Sequence, residues 1–305
     1  MIPLLFSVSY AGLWGQHTLD LPAFLRKAAA LGYPAVELMG KRPHLSLLDC
    51  GGDELARLRD IADECRLDIA TIAAYNDFTV NQPGVPFPEI QIAYIRGLIV
   101  AARQLGAKQV RLFTGATTDP QAMQSDWTTC VQAVRECARI GAGEGVVIGV
   151  QNHHDIGIST ASYVEFLHDV DHPNCRAMFD PWSPALLGED LRHWARVLAP
   201  RMVQTTFADY IRLPRYTYLN GLINYQSLPD AYRAVPLGSG FIDYPAFVAG
   251  LREGGFDGYV AYEMCSPLRG GGSEANLDQT AQDGLAYIHS LFSHVTPAET
   301  NEVTV

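Results

Sequence analysis

Eight short runs rich in Val, Ile and Leu alternate with longer amphipathic segments, and this alternation limits the possible folds more than any other feature. The runs lie at Leu4–Ser9, Ala35–Met39, Ile69–Ala74, Gln109–Phe113, Val146–Gln151, Arg176–Phe179, Met202–Phe207 and Tyr259–Glu263. Short apolar runs bounded by turn residues are typical of buried parallel strands. Eight alternations of strand and helix therefore predict a (β/α)8 barrel, the TIM barrel architecture.

The segments between the runs carry helical spacing and helix boundary signals. In the first segment, apolar residues recur at helical spacing from Leu21 to Leu31, Asp20 is a candidate N-cap, and Gly32 follows the last turn. The other predicted helices lie at Asp53–Cys65, Pro88–Leu105, Gln121–Gly141, Ala161–Val170, Glu189–Leu198, Tyr244–Gly254 and Leu277–Phe292. A doubly wound open sheet is the alternative, but no GxGxxG follows the first strand, which weakens a dinucleotide-binding version of it.

The length of 305 residues suits one large domain. We predict a single barrel over residues 1–293, a polar tail over 294–305, and a long insert over 210–241 after the seventh strand. The insert is rich in Tyr, Asn, Pro and Arg, and loops of such length are uncommon and often functional. In a barrel it would lie on the catalytic face, where it is expected to cover the mouth.

The charge of the chain limits its partners. A formal net charge of −11 argues against a general nucleic-acid binder, because an acidic surface repels phosphates. No apolar run reaches the roughly 18 residues of a membrane span, and no basic residue precedes the N-terminal apolar run as in a signal peptide. We therefore expect a cytoplasmic protein with a small-molecule substrate and no membrane partner, and the possibility of a homo-oligomer stays open.

Two acidic residues, Asp180 and Glu263, end otherwise apolar strands. A buried carboxylate without a partner is costly, so each needs a cation or a strong hydrogen-bond donor. For one acid alone, a salt bridge to an arginine is an adequate explanation. Two acids with amide and imidazole groups at one barrel mouth instead favour a divalent metal site, for Mn²⁺, Mg²⁺ or Co²⁺.

The segments around these acids resemble the xylose isomerase-like barrels, the sugar phosphate isomerase/epimerase family. The resemblance covers roughly residues 4–293 and lies in AVELMG, QVRLFTG, IGVQNHH, FDPWS, PLGSGFIDY and GFDGYVAYEM. The last two are the most specific, because in the family a GxGxxD precedes the last helix and a GYxGxxxxE delivers the final metal-binding glutamate. The resemblance implies a metal-dependent enzyme that abstracts a proton next to the carbonyl of a keto- or aldo-sugar.

The same resemblance implies a ligand set that departs from the family pattern. Asp180 and Glu263 fall on two of the four metal positions, but Gln151 stands where the family has glutamate and Thr206 where it has histidine. A glutamine oxygen can bind a hard cation, although it brings no charge and takes no proton. Gln204 shares the facing of Thr206 on its strand and is the candidate for the missing oxygen, with Thr206 itself and His153 as alternatives. The predicted metal ligands are Gln151, Asp180, Gln204 and Glu263.

Loss of the second glutamate changes the predicted chemistry. Glu263 remains as the single carboxylate base, and His153 or His154 is the candidate acid, because imidazole titrates near neutral pH. One base and one acid suit isomerisation or β-elimination better than a symmetric two-glutamate epimerisation. Besides an isomerase or epimerase, a lyase or hydratase on a 3-keto sugar or glycoside and a catalytically weak sugar-binding subunit stay open.

Several polar and aromatic side chains near the predicted strand ends suit a polyhydroxyl ligand. Trp182 can stack on a sugar face, and the glycine-rich segment after Arg269 can hold an anion. The candidate substrate-binding residues are Asn152, Trp182, Asp209, His44, Arg111 and Arg269.

Overall fold

The computed structural model describes residues 1–80, 82, 84–116 and 119–293. The predicted polar tail over 294–305 lies outside the described residues. Among the helices that the structure describes, none combines the length and the apolar character needed to cross a membrane.

Eight parallel strands close into a barrel, and a two-stranded antiparallel hairpin is inserted after the seventh. The strands are β1 (Ile2–Phe6), β2 (Ala35–Met39), β3 (Asp68–Ala73), β4 (Gln109–Leu112), β5 (Val147–Gln151), β6 (Cys175–Met178), β7 (Met202–Phe207), β8 (Asp209–Leu219), β9 (Asn224–Val235) and β10 (Tyr259–Tyr262). Around the barrel the order is β1-β10-β7-β6-β5-β4-β3-β2. The predicted (β/α)8 architecture is thus confirmed, with β8 and β9 forming the hairpin outside it.

Helices follow the strands and cover the barrel. They are α1 (Leu21–Ala30), α2 (Gly52–Cys65), α3 (Phe87–Leu105), α4 (Met123–Glu144), α5 (Thr160–Val170), α6 (Trp182–Leu187), α7 (Leu191–Leu198), α8 (Tyr244–Glu253) and α9 (Glu274–Ser293). The first shows why the sequence forms them: Asp20 accepts the Ala23 N–H as an N-cap, and Phe24, Leu25 and Ala28 are fully buried on one face. Helix α6, directly after Asp180, is an addition to the predicted set.

The first strand is shorter than its sequence predicts. The alternation that continues to Ser9 predicts a strand, but β1 ends at Phe6 and a 3₁₀-helix follows over Ser7–Tyr10. In that turn the Ser7 hydroxyl accepts the Met39 N–H at 2.8 Å, and the Ser9 hydroxyl accepts the Met264 N–H at 2.9 Å. The serines thus satisfy backbone donors just at the ends of β2 and β10, which their alternating spacing does not reveal.

The insert is not a loop but a β-hairpin. Strands β8 and β9 pair antiparallel from Asp209 opposite Val235 to Leu219 opposite Asn224, with Asn220–Leu222 as the connection. The runs flanking Asn220-Gly221 are rich in Tyr and Leu, which is a hairpin signal that the length of the insert obscured. Most of the hairpin is exposed, and only its base near Tyr210 and Val235 is buried.

Candidate active site

A pocket of about 470 Å³ opens at the barrel mouth, the end where the parallel strands finish, and we call it the mouth pocket. It is lined by Phe6, Val8, Trp14, Tyr75, Asn76, Asp77, Gln91, Arg111, Phe113, Gln151, His153, His154, Glu263 and Cys265. A smaller inner cavity of about 60 Å³ is lined by Gln151, Asn152, His153, Asp180, Trp182, Ser183, Thr206, Ala208, Tyr210, Glu263 and Cys265. The shared lining residues show that the two spaces adjoin, and this is the face on which barrels of this type carry their active sites.

Arg111, on β4, is the buried cation of the mouth pocket. Its Nη1 donates to Gln151 Oε1 at 2.6 Å, and its Nε lies 3.7 Å from Glu37 Oε1. The guanidinium carbon lies 4.0 Å from the centroid of the Phe113 ring and 5.2 Å from that of Tyr75. Only 4% of the residue is exposed, so a full positive charge is held in an aromatic, poorly solvated setting.

Gln151, at the end of β5, connects Arg111 to Asp180. Its Oε1 accepts from Arg111, and its Nε2 donates to Asp180 Oδ2. Because a guanidinium has no acceptor, the amide oxygen must face Arg111 and the amide nitrogen must face Asp180. The oxygen of Gln151 is therefore turned away from the carboxylate with which it was predicted to share a metal ion.

Asp180 follows β6 and lies between two N–H donors. Its Oδ1 accepts the backbone N–H of Thr206 at 2.6 Å, and its Oδ2 accepts from Gln151. Burial raises the pKa of Asp180 to about 8, with a further contribution from Glu263, although the donated hydrogen bonds act in the opposite direction. Thr206 thus contributes its main chain at the position where the family has a histidine side chain.

Glu263 follows β10 and lies across the barrel from Arg111, because β10 and β4 are four strands apart in a closed ring of eight. Its backbone N–H donates to Phe207 O at 3.1 Å, and its Oε1 accepts from the Cys265 thiol at 3.1 Å. Burial raises the pKa of Glu263, and the Cys265 thiol and Arg111 lower it in part. Glu263 lines both the mouth pocket and the inner cavity.

A polar network lies inside the barrel around Glu37 and Gln204. Gln204 Nε2 donates to Glu37 Oε2 at 2.6 Å, while Gln204 Oε1 accepts from Thr71 Oγ1 at 2.6 Å and from Gln109 Nε2 at 2.9 Å. Burial raises the pKa of Glu37 to about 7, and Arg111 opposes that rise. Gln204 lines neither cavity, and both lone pairs of its oxygen are used, so the ligand role predicted for it does not fit its placement. Glu37 was missed, although an acid within the apolar run AVELM is a signal for a buried partner.

These donors do not fit a four-ligand metal centre. The oxygen of Gln151 accepts from Arg111, and the oxygen of Gln204 accepts from Thr71 and Gln109. Of the four predicted ligands, Asp180 and Glu263 then remain as candidates. In the part of the chain that the structure describes, one group of three His, Cys, Asp or Glu side chains has ligand atoms within 4.8 Å of one another. That group lies on helix α5, away from the mouth, and consists of Glu165, His168 and Asp169.

His153 and His154 lie together at the edge of the mouth pocket. Their Nδ1 atoms are 3.2 Å apart, and their ring centroids lie 4.8 and 4.7 Å from that of Phe113. His153 keeps an exposed edge, but desolvation against its neighbours lowers its pKa, and interactions with His154 and with the Arg111 charge lower it further. A neutral imidazole at pH 7 can accept a proton but is a poor proton donor, so His153 fits the predicted acid role badly.

Asn152 was predicted to bind substrate, but its side chain is fully engaged within the protein. Its Oδ1 accepts the Asp180 N–H at 2.7 Å, and its Nδ2 donates to Asp180 O and to Ser183 Oγ, both at 3.0 Å. The residue therefore holds the segment after β6 in place and positions the Asp180 carboxylate indirectly.

His44 was likewise a candidate for a sugar hydroxyl, and the structure buries it away from the pocket. Its Nε2 lies 3.1 Å from Leu19 O, so this nitrogen must carry the hydrogen, and its Nδ1 accepts from Ser7 Oγ at 3.0 Å. Burial lowers the pKa of His44 to about 4. Both ring nitrogens are used, and the neutral ring has no free group for a substrate.

Asp209, a further predicted substrate ligand, instead binds the backbone of PLGSGF. Its carboxylate accepts the N–H groups of Tyr210 at 2.9 Å, Gly238 at 3.0 Å and Gly240 at 2.8 Å, and it is 1% exposed. A Cβ on Gly240 would lie 2.0 Å from Asp209 Oδ1, so glycine is required for this approach. Asp209 therefore joins the base of the hairpin to the segment before α8.

Trp182 and Arg269 differ in their relation to the site. Trp182 lines the inner cavity and packs against the base of the hairpin, with centroid distances of 4.2 Å to Tyr210 and 5.2 Å to Tyr232. Arg269 is exposed, lines neither cavity and joins the hairpin through its backbone N–H, which donates to Ala234 O at 3.0 Å. Sequence reasoning missed Cys265, whose thiol lies beside Glu263, and no sequence pattern singles it out.

A closed ring of eight parallel strands, with acids and a buried arginine at its mouth, defines a (β/α)8 barrel of the TIM class. A family model described as the xylose isomerase-like TIM barrel matches residues 25–291. The chain therefore belongs to the xylose isomerase-like TIM barrel family. No curated protein matches the chain.

Solved structures with this fold include sugar epimerases and a dehydratase. A probable 3-DHS dehydratase from Bacillus anthracis is similar with a TM-score of 0.72 and 18% identity, over 95% of this chain and 99% of that chain. A D-psicose 3-epimerase from Clostridium cellulolyticum H10, solved with D-tagatose, has a TM-score of 0.72 and 17% identity, over 95% and 99%. Another D-psicose 3-epimerase, solved in the presence of D-fructose, has a TM-score of 0.74 and 16% identity, over 96% and 100%. At these identities the likeness shows the fold alone.

Proposed function

We propose that this protein is a sugar-modifying enzyme of the isomerase and epimerase type. It abstracts a proton next to the carbonyl of a keto- or aldo-sugar and passes through an enediolate. The observation that carries the proposal is the position of Glu263, a partly exposed carboxylate that follows β10 and borders both cavities. The mouth pocket, at about 470 Å³, lies within the range of small-molecule sites and suits a monosaccharide or a slightly larger ligand.

Glu263 is the proton-abstracting base. Both oxygens of Asp180 accept N–H donors, whereas the donor to Glu263 is the weaker Cys265 thiol. A carboxylate with a weak donor keeps more of its basicity and can turn toward a C–H bond in the pocket. The proton it removes is returned to the neighbouring carbon in an isomerisation, or to the opposite face of the same carbon if a second group assists.

Because Gln151 replaces the second glutamate of the family, fewer reactions are open to this site. Gln151 cannot take a proton, and Arg111 and Asp180 fix its amide in place. Symmetric epimerisation between two glutamates is thus not open to this chain, which favours aldose–ketose isomerisation. The same observation favours a second candidate, a lyase or hydratase on a 3-keto sugar or glycoside, since β-elimination also requires one base next to a carbonyl. Because the donor set does not fit a four-ligand metal centre, no step of either reaction is assigned to a metal ion.

A sugar panel in D₂O, followed by NMR, tests the proposal. The panel contains aldoses, ketoses and 3-keto glycosides, and the proteins are the wild type, Glu263→Gln and Glu64→Gln, a control at an exposed acid on α2. We expect deuterium at one carbon of a converted sugar with the wild type and the control, and a loss of about 100-fold or more in Glu263→Gln. An unsaturated product would identify the lyase. Binding of a sugar without any exchange would show a catalytically weak sugar-binding protein and contradict the proposal.

A further inference from the structure

We infer that the Arg111 guanidinium is the electrophile of this site and that the site works without a divalent metal ion. The inference rests on the proposed function for its chemistry, but its metal-binding part stands on the structure alone. It gives Arg111 a catalytic role, stabilising the oxygen that becomes negative when Glu263 removes the proton.

The first support is the orientation of Gln151. In a metal site its oxygen would face the ion, but here it accepts from Arg111 at 2.6 Å, and its nitrogen faces Asp180. A divalent cation on the second lone pair of this oxygen would lie close to the guanidinium, and the two positive charges would repel each other in a poorly solvated space. The charge of Arg111 therefore opposes a metal ion on Gln151.

The second support is that Arg111 is held rigidly and has donor capacity left. The Phe113, Tyr75 and Phe6 rings lie 4.0, 5.2 and 5.8 Å from its guanidinium carbon, and Glu37 lies on its Nε side. The buried Nε faces Glu37 without a hydrogen bond. The Nη2 makes no hydrogen bond among the described residues, and the side chain lines the mouth pocket. A rigid guanidinium with unused N–H capacity at a pocket wall is suited to bind a ligand oxygen.

The third support is the arrangement across the barrel. Arg111 on β4 and Glu263 after β10 lie on opposite sides of the ring, and both line the mouth pocket. A sugar between them would place its C–H bond toward the carboxylate and its carbonyl oxygen toward the guanidinium. Preorganised positive charge at the point where negative charge develops is among the largest contributions to enzymatic rate.

The chemistry balances without a further reactant. Glu263 takes the proton, the electrons of the broken C–H bond form a carbon–carbon double bond, and the carbonyl π electrons move to the oxygen beside Arg111. Glu263 then returns the proton to the former carbonyl carbon. The new carbonyl forms at the carbon that lost the proton, after the hydroxyl proton of that carbon moves to the oxygen beside Arg111. The sugar is neither oxidised nor reduced overall, and both side chains return to their starting states.

Metal binding is tested with Mn²⁺ by equilibrium dialysis after treatment with EDTA, with circular dichroism as a check of folding. The proteins are the wild type, Gln151→Glu, the double variant Arg111→Met/Gln151→Glu, and Arg96→Met as an exposed arginine control on α3. We expect no stoichiometric Mn²⁺ in the wild type, in the control, or in Gln151→Glu, whose new carboxylate would pair with Arg111. The double variant, with a third carboxylate and no guanidinium, should bind about tenfold more tightly than the wild type.

Stoichiometric Mn²⁺ in the wild type that disappears in Asp180→Ala would overturn the inference, whether or not the double variant folds. With a sugar from the panel, deuterium exchange should be unchanged by EDTA and should fall about 100-fold in Arg111→Met, with partial recovery in Arg111→Lys. Exchange that is lost in EDTA and restored by Mn²⁺ would also overturn it. If no sugar is converted, the proposed function fails, while the dialysis still decides whether Arg111 excludes a metal ion.

Discussion

Asp209 provides a quantitative test of the structure, because one buried carboxylate satisfies several backbone donors. Asp209→Ala would leave the N–H groups of Tyr210, Gly238 and Gly240 without their acceptor. Hydrogen bonds to a charged group contribute about 1.5–3 kcal/mol each. Three of them set an upper limit of roughly 9 kcal/mol, and the desolvation that raises the pKa of Asp209 offsets a large part of this. We therefore expect a loss of about 3–4 kcal/mol in the free energy of unfolding.

The matched control is Asp190→Ala, which removes an exposed N-cap. Asp190 accepts one backbone N–H, that of His193 at 3.0 Å, and lies at the start of α7. Loss of such a cap costs about 1 kcal/mol. Urea unfolding followed by circular dichroism measures both variants, and equal m-values allow the midpoints to be compared directly. If Asp209→Ala is no more destabilising than Asp190→Ala, the buried carboxylate does not hold the hairpin base to the PLGSGF segment.

Further predictions concern pH, the base and the hairpin. His44 is neutral when folded, with a pKa lowered from 6.5 to about 4, so its contribution to stability is present above pH 6.5 and is lost as the pH falls toward 4. Urea titrations should show that the wild type loses about 3 kcal/mol more than His44→Gln over this interval, and equal losses would contradict the buried neutral ring. Glu263→Gln should lose proton exchange about 100-fold, whereas Glu64→Gln should retain it, as NMR in D₂O will show. The hairpin tip at Leu222 and Ile223 is 73% and 83% exposed, and proteolysis there should slow with saturating sugar if the hairpin covers the mouth; unchanged cleavage would contradict a covering role.

The barrel could be predicted from sequence because its signals are local. A buried parallel strand is a short apolar run whatever its neighbours are, and β2 and β7 have the bounds that their sequences predict. The prediction went wrong where distant partners decide the local structure. The alternation through Ser9 is typical of a strand, but Ser7 and Ser9 lie in a 3₁₀-helix. Their hydroxyls accept hydrogen bonds from the backbone N–H groups of Met39 and Met264.

In the candidate site, too, some residues could be identified from the sequence, whereas the partners of others could not. Asp180 and Glu263 were identified because an acid at the end of an apolar strand is visible in the sequence, and both line the cavities at the mouth. The side chains of Asn152, His44 and Asp209 are of the types that bind sugars, yet each is used up by backbone partners within the protein. Residue type reveals what a side chain can bind, but not whether its hydrogen-bonding capacity is already satisfied.

The sequence by itself determined the alternation of strands and helices and the chemical groups carried to the barrel mouth, since periodicity and apolar runs act over neighbouring residues. Only the tertiary structure decided which of these groups meet. Gln204 bonds to Glu37 from 167 positions away, and Arg111 reaches Gln151 from 40 positions away. Closure of the barrel brings Gln204 near Glu37, and the pairing of β4 with β5 brings the amide of Gln151 near the Arg111 guanidinium. The reason is physical: a hydrogen bond depends on distance and direction in space, and a chain fixes these only once it is folded.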